Sequence, residues 1–89
     1  MDEPRVRLLG KAGCHLCDDA RAVVVDVCTE LGVGWTEIDI LADADLAARY
    51  GEYIPVVIVD GATHDFWRVS PDRLRAALTA PRGEGELVD

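Results

Sequence analysis

Residues 11–20 read Lys11-Ala12-Gly13-Cys14-His15-Leu16-Cys17-Asp18-Asp19-Ala20 and hold two of the chain's three cysteines. What lies on either side decides what that pair can be. Upstream, Val6 and Leu8 alternate with Arg5 and Arg7, so Arg5 to Leu9 reads as a short strand closed by Gly10. Lys11 to Gly13 is then a loop. Downstream, Ala20, Val23, Val24, Val27, Cys28 and Leu31 recur at helical spacing, which predicts a helix from about Cys14 to Leu31, ended by Gly32. The β-branched run Val23-Val24-Val25 favours a strand by propensity, but the apolar stripe is longer than a strand and carries an end cap. The stretch is therefore a loop and a helix start.

The remaining elements follow from the same rules. Val33 to Ile40 alternates, with Thr36, Ile38 and Ile40 on one face and Trp35, Glu37 and Asp39 on the other, and reads as a second strand. Asp43 can cap a short helix carrying Leu46, Ala47 and Tyr50, stopped by Gly51. Pro55 to Val59 is a buried strand by its continuous apolar character. Asp60-Gly61 is a hairpin signal that returns the chain through Ala62 to Trp67. Ser70-Pro71 starts a last helix whose packed face is Leu74, Ala77 and Leu78. The expected fold is α/β, β-α-β-α-β-β-α, with a parallel right-handed first crossover and a four-stranded mixed sheet covered by helices on both faces. Residues 1–80 form one domain, and the acidic, Gly-containing stretch from Pro81 to Asp89 reads as a disordered tail.

Composition narrows the function. With 89 residues there is room for a single core, and 49% hydrophobic with 29% charged residues fits a packed domain rather than a disordered chain. Nine Lys and Arg against 17 Asp and Glu give a net charge of -8, which would repel a phosphate backbone or an anionic membrane surface. No apolar run approaches the roughly 18 residues of a membrane span. The expectation is a cytoplasmic monomer without nucleic-acid or membrane partners. Three cysteines are too few and odd in number for a secreted disulfide framework, which leaves redox catalysis or metal binding for C-x-x-C.

At the first turn of a helix, Cys14 would lie near unpaired backbone N–H groups and the positive end of the helix dipole. Both favour thiolate over thiol. Cys17 is one turn further on and closer to the sheet, within the roughly 4.4–6.8 Å Cα separation that a disulfide tolerates. Cys14 can then attack a substrate disulfide and Cys17 can resolve the mixed disulfide. Cys28 falls on the apolar stripe roughly 16 Å from Cys17 at about 1.5 Å per residue, and reads as an inert core cysteine. Lys11 and a protonated His15 favour the Cys14 thiolate, while Asp18 and Asp19 oppose it. His64, Phe66 and Trp67 read as sheet and edge residues.

Gly13-Cys14-His15-Leu16-Cys17-Asp18-Asp19 after a first strand, with Ile54-Pro55-Val56-Val57 opening a later strand before a hairpin and helix, resembles the glutaredoxin-like members of the thioredoxin superfamily. The resemblance covers roughly Val6 to Leu78. It implies a thiol-disulfide oxidoreductase acting on protein or low-molecular-weight disulfides, with Cys14 and Cys17 catalytic and no tightly bound cofactor. It implies a cis peptide bond before Pro55, facing the cysteines, with Ile54 offering backbone groups to the substrate. Lys11 matches a lysine that binds the glycine carboxylate of glutathione, and Gly13 and His15 complete the implied substrate-binding set. The reductant implied is glutathione, another small thiol, or a reductase. Arg68-Val69-Ser70-Pro71-Asp72 stands where glutaredoxins usually carry Gly-Gly before a small polar residue and Asp, and Gly13 stands where thioredoxins have Trp.

Two other readings compete with the enzyme. C-x-x-C is also a metal half-site, but a zinc site needs four ligands and His15, His64 and Cys28 offer no second close pair. An iron–sulfur cluster bridged by Cys14 of two subunits with glutathione is the other metal option. An interaction domain that has lost its chemistry is disfavoured by the presence of both cysteines and Ile54-Pro55.

Overall fold

The computed structural model describes residues 4–80, and the tail from Pro81 onward lies outside them. The elements run β1 (Val6–Gly10), α1 (His15–Leu31), β2 (Trp35–Asp39), a 3-10 turn (Ile40–Ala42), α2 (Ala44–Tyr50), β3 (Val56–Val59), β4 (Ala62–Phe66) and α3 (Pro71–Thr79). The sheet order is β2-β1-β3-β4. β1 and β2 are parallel, whereas β3 is antiparallel to both β1 and β4. This is the mixed four-stranded α/β architecture expected from the patterning.

Because side chains alternate across a strand, β1 and β3 each feed two cores. Val6, Leu8, Val57 and Val59 face α1 and α3, where they meet Ala20, Val24, Val27, Cys28, Leu74 and Leu78. Leu9 and Val56 face the other way, toward Ile40, with Leu46 and Tyr50 of α2 packed alongside. Helices thus cover both faces. A nine-residue helix such as α3 is too short to persist alone in water. Burial of Leu74 and Leu78 holds it in place, each contributing about 1.5–3 kcal/mol.

Local signals set the ends. Asp43 accepts from the Asp45 and Leu46 amides at the start of α2, and Ser70 accepts from the Arg73 amide at the start of α3. Asp60 (φ 52°) and Gly61 (φ 86°) both take left-handed backbone, the two-residue hairpin turn whose twist matches the flanking strands. β4 carries a bulge: Val57 pairs with Asp65 and Ile58 with Thr63, so His64 is the extra residue.

β1 runs Val6–Gly10 where the sequence reading had Arg5 to Leu9, and three further strand boundaries differ for physical reasons. β2 is shorter than Val33 to Ile40, because Asp39 accepts from the Leu41 amide and turns Ile40 into the 3-10 segment. β3 starts at Val56, since Pro55 has no N–H to give the ladder. β4 stops at Phe66, because Trp67 has a positive φ of 61° and leaves the strand. No helix among the described residues is long and apolar enough to cross a membrane.

Candidate active site

The helix after β1 begins one residue later than the apolar stripe suggests. Cys14 has extended backbone (φ -108°, ψ 113°) and is the N-cap of α1, with its Sγ accepting the Cys17 amide N–H at 3.1 Å. The correction matters chemically, because an N-cap side chain addresses the unpaired amides of the first turn directly. Gly13, with φ 79°, turns the chain into this cap in a region of backbone space that a side chain disfavours.

Cys17 is fully buried, Cys14 is only half-buried, and the two sulfurs are in disulfide contact across Cα atoms 5.1 Å apart. The accessible sulfur is therefore that of Cys14. Gly10, the last residue of β1, explains how Cys17 fits: a Cβ there would lie 3.1 Å from the Cys17 Sγ. A side chain at the strand end would crowd the buried sulfur and push it back by a few tenths of an ångström, a contact the sequence reading missed.

Electrostatics around the pair depend on Arg21, also missed. Its guanidinium grips both carboxylate oxygens of Glu37 at 2.8 and 2.7 Å and reaches Asp18 at 2.9 Å. Hydrogen bonding to Glu37, then to Asp18, raises the Arg21 pKa further, and the bond from Arg21 pulls the Glu37 carboxyl below its ordinary value. Asp18 is thus charge-compensated, which weakens its opposition to a Cys14 thiolate. Asp19 is exposed and makes no ion pair among the described residues.

The other sequence-predicted residues lie on the loop into α1 and its first turn, and on the turn into β3. Lys11 and His15 are exposed, Lys11 on a hollow shared with Arg21, Glu37 and Asp39. Leu9 pairs with Val56, so Pro55, one residue earlier, stands beside the end of β1 at Gly10. The Ile54–Pro55 bond is cis, Pro55 is fully buried, and Ile54 packs on the α2-side core. The Pro55 carbonyl accepts the Trp67 amide at 2.9 Å. Cys28 is buried in the α1–α3 core, and burial pushes its thiol pKa up. No group of three or more His, Cys, Asp or Glu side chains is arranged to hold a metal ion among the described residues.

With the helix after the interior strand β1 opening on a C-x-x-C pair in this mixed sheet, the class is that of the thioredoxin-like α/β proteins. Solved structures agree. Protein XcR50 of X. campestris superposes with a TM-score of 0.70 at 30% identity, covering 85% of this chain and 99% of that one. A thioredoxin mutant from Halobacterium salinarum matches in fold alone, at TM-score 0.59 and 21% identity over 81% of this chain and 68% of the other. The model of the glutaredoxin-like domain family (DUF836) matches residues 5–79, and the chain belongs to that family. The uncharacterized protein Rv0508 of Mycobacterium tuberculosis is 37% identical over 83 residues, 88% of this chain and 86% of the relative.

Proposed function

We propose that this protein is a thiol–disulfide oxidoreductase that reduces protein or low-molecular-weight disulfides. The observation that carries the reading is the N-cap geometry of Cys14: the sulfur of this half-buried residue accepts a backbone N–H of α1 and is in contact with the sulfur of the fully buried Cys17. In the dithiol form an anion accepting that N–H is stabilised relative to a thiol, which favours the Cys14 thiolate.

In the dithiol form, the Cys14 thiolate attacks one sulfur of a substrate disulfide. A Cys14–substrate disulfide forms, the substrate S–S bond breaks, and one substrate thiolate departs and takes up a proton. Cys17, once deprotonated, attacks the Cys14 sulfur and releases the second thiolate. Two electrons pass to the substrate, which leaves as two thiols, and the protein is left as the Cys14–Cys17 disulfide. Ile54 and Pro55 border the bound chain, and Lys11, Gly13 and His15 form the opposite rim. Glutathione or another small thiol, or a reductase, returns the pair to the dithiol. The reducing cytoplasm is the compartment that keeps it so.

The test is trapping. Cys17→Ser treated with a peptide disulfide should accumulate an adduct that mass spectrometry places on Cys14, whereas wild type should turn the same peptide over and Cys14→Ser should do neither. An adduct on Cys17 or Cys28 in the corresponding variants, or none at all, would overturn the reading.

A further inference from the structure

Five large apolar side chains are exposed among the described residues, and three of them, Tyr53, Phe66 and Trp67, form one cluster with ring centroids 5.1 to 6.2 Å apart. Trp67 is half-exposed and is held there against local preference. A bulky residue at positive φ costs about 1–3 kcal/mol, and Trp67 has φ 61°. Its amide donates to the Pro55 and Tyr53 carbonyls, and its indole Nε1 donates to the Glu52 carbonyl at 3.0 Å. The fold thus fixes an exposed indole on the segment that carries Ile54 and Pro55.

Charge supplies the second observation. Arg5, Arg21, Arg73 and Arg75 are ion-paired and Arg7 is engaged as well, whereas Lys11, Arg49 and Arg68 make no ion pair among the described residues. In a chain with 17 carboxylates to nine cations, a scarcity of partners does not explain this. Arg49 lines a hollow of about 200 Å³ with Tyr53, Val56 and Phe66. Arg68 lines another of about 130 Å³ with Trp67, Val69 and Leu16, the residue between the two cysteines' turn positions. One cation without an ion pair among the described residues thus lines the hollow beside Tyr53 and Phe66, and another the hollow beside Trp67.

We propose that Tyr53, Phe66 and Trp67, flanked by Arg49 and Arg68, dock a polypeptide client whose disulfide is neighboured by an apolar side chain and carboxylates. The proposal rests on the oxidoreductase reading and names the substrate class for that site. The apolar side chain sits on the aromatic cluster and the carboxylates meet the two guanidinium groups. A net charge of -8 opposes a second copy and any strongly acidic client alike, so the client's carboxylates are few and lie beside its disulfide, where the two guanidinium groups meet them. Asp19 shares the Arg68 hollow and Glu52 adjoins the cluster, so the surface is mixed and the charge preference modest.

The test uses reduced wild-type protein and synthetic peptides, each with one cysteine blocked by 2-mercaptoethanol, one Phe, and flanking Glu, Gln or Lys. The Glu peptide should be reduced about 2- to 3-fold faster than the Lys peptide in low salt, as expected of a pair of exposed charge contacts. That ratio should collapse toward one in about 1 M salt, where the screening length is roughly 3 Å. Arg49→Gln with Arg68→Gln should bring the Glu peptide down to the rate of the Gln peptide, and Trp67→Ala should slow a Phe peptide more than its Ala counterpart. Equal rates for the three peptides, with exchange proceeding, would sink the docking surface and leave the oxidoreductase intact. Absence of exchange on every peptide and on bis(2-hydroxyethyl) disulfide would sink both. A concentration-dependent dimer in sedimentation, lost in Trp67→Ala, would assign the surface to a second copy and overturn the proposal.

Discussion

Replacing Gly10 by Ala puts one methyl group where the structure leaves none. The new Cβ would stand 3.1 Å from the Cys17 Sγ and 3.3 Å from the Cys17 Cβ. Comfortable carbon contacts lie at about 3.5–4.0 Å, so Cys17 must retreat by a few tenths of an ångström. It has nowhere easy to go, since it is wholly buried on α1 and its sulfur meets Cys14. Overpacking of this kind costs about 1–3 kcal/mol, offset by about 0.4–1 kcal/mol from the stiffer unfolded chain. The net loss is about 1–2 kcal/mol, which at about 4–8 °C per kcal/mol for a domain of this size lowers the melting temperature by roughly 5–15 °C. Circular-dichroism melts of the oxidised proteins check the stability. Rapid-mixing kinetics should show the resolving step slowed more than attack by Cys14. A Gly10→Ala protein that melts at or above wild type would refute the packing argument.

Other perturbations separate structure from chemistry. Cys28→Ala should cost about 1 kcal/mol in urea unfolding, a small cavity's worth, and leave disulfide exchange unchanged. The Cys28 thiol should resist iodoacetamide until the protein unfolds, because burial raises its pKa. Ser70→Ala removes the acceptor for the Arg73 amide and should destabilise by about 1 kcal/mol. Asp65 is opposed by burial but held below its ordinary value by bonds from the Arg73 side chain and the Ser70 and Phe66 amides. A lowered folded value means the unfolded chain binds more protons in acid. The stabilisation is therefore present above about pH 3.9 and lost as pH falls through the lowered folded value. Asp65→Asn should lower neutral-pH stability by about 1 kcal/mol, Arg73 being largely exposed, and should flatten the acid limb.

Much of this molecule is legible before folding because its signals are local. The stripe from Ala20 to Leu31, the caps Asp43 and Ser70, and the Asp60-Gly61 turn act within a few residues of themselves, and each lies where its chemistry requires. The cysteine pair is local too, although placing Cys14 at the cap instead of in the first turn needed its backbone angles. What escaped the sequence is made by distant segments meeting. Gly10 touches Cys17 only once β1 and α1 pack, and Arg21 reaches Glu37 across α1 and β2. Trp67 read as the end of a strand, because nothing nearby announces that carbonyls of Glu52, Tyr53 and Pro55 will draw it out of the ladder. The exposed aromatic cluster exists only through that long-range capture.

The central claim is that the α1 N-cap turns Cys14 into a nucleophile at neutral pH. Its most direct measurement is the pH dependence of the Cys14 alkylation rate in the reduced protein, followed by peptide mass spectrometry so that each cysteine is read separately. The account predicts a midpoint at least about one pH unit below the roughly 8.5 of an unperturbed thiol, with Cys14 reacting well before Cys17. A midpoint at or above about 8.5, or faster reaction at Cys17, would contradict it.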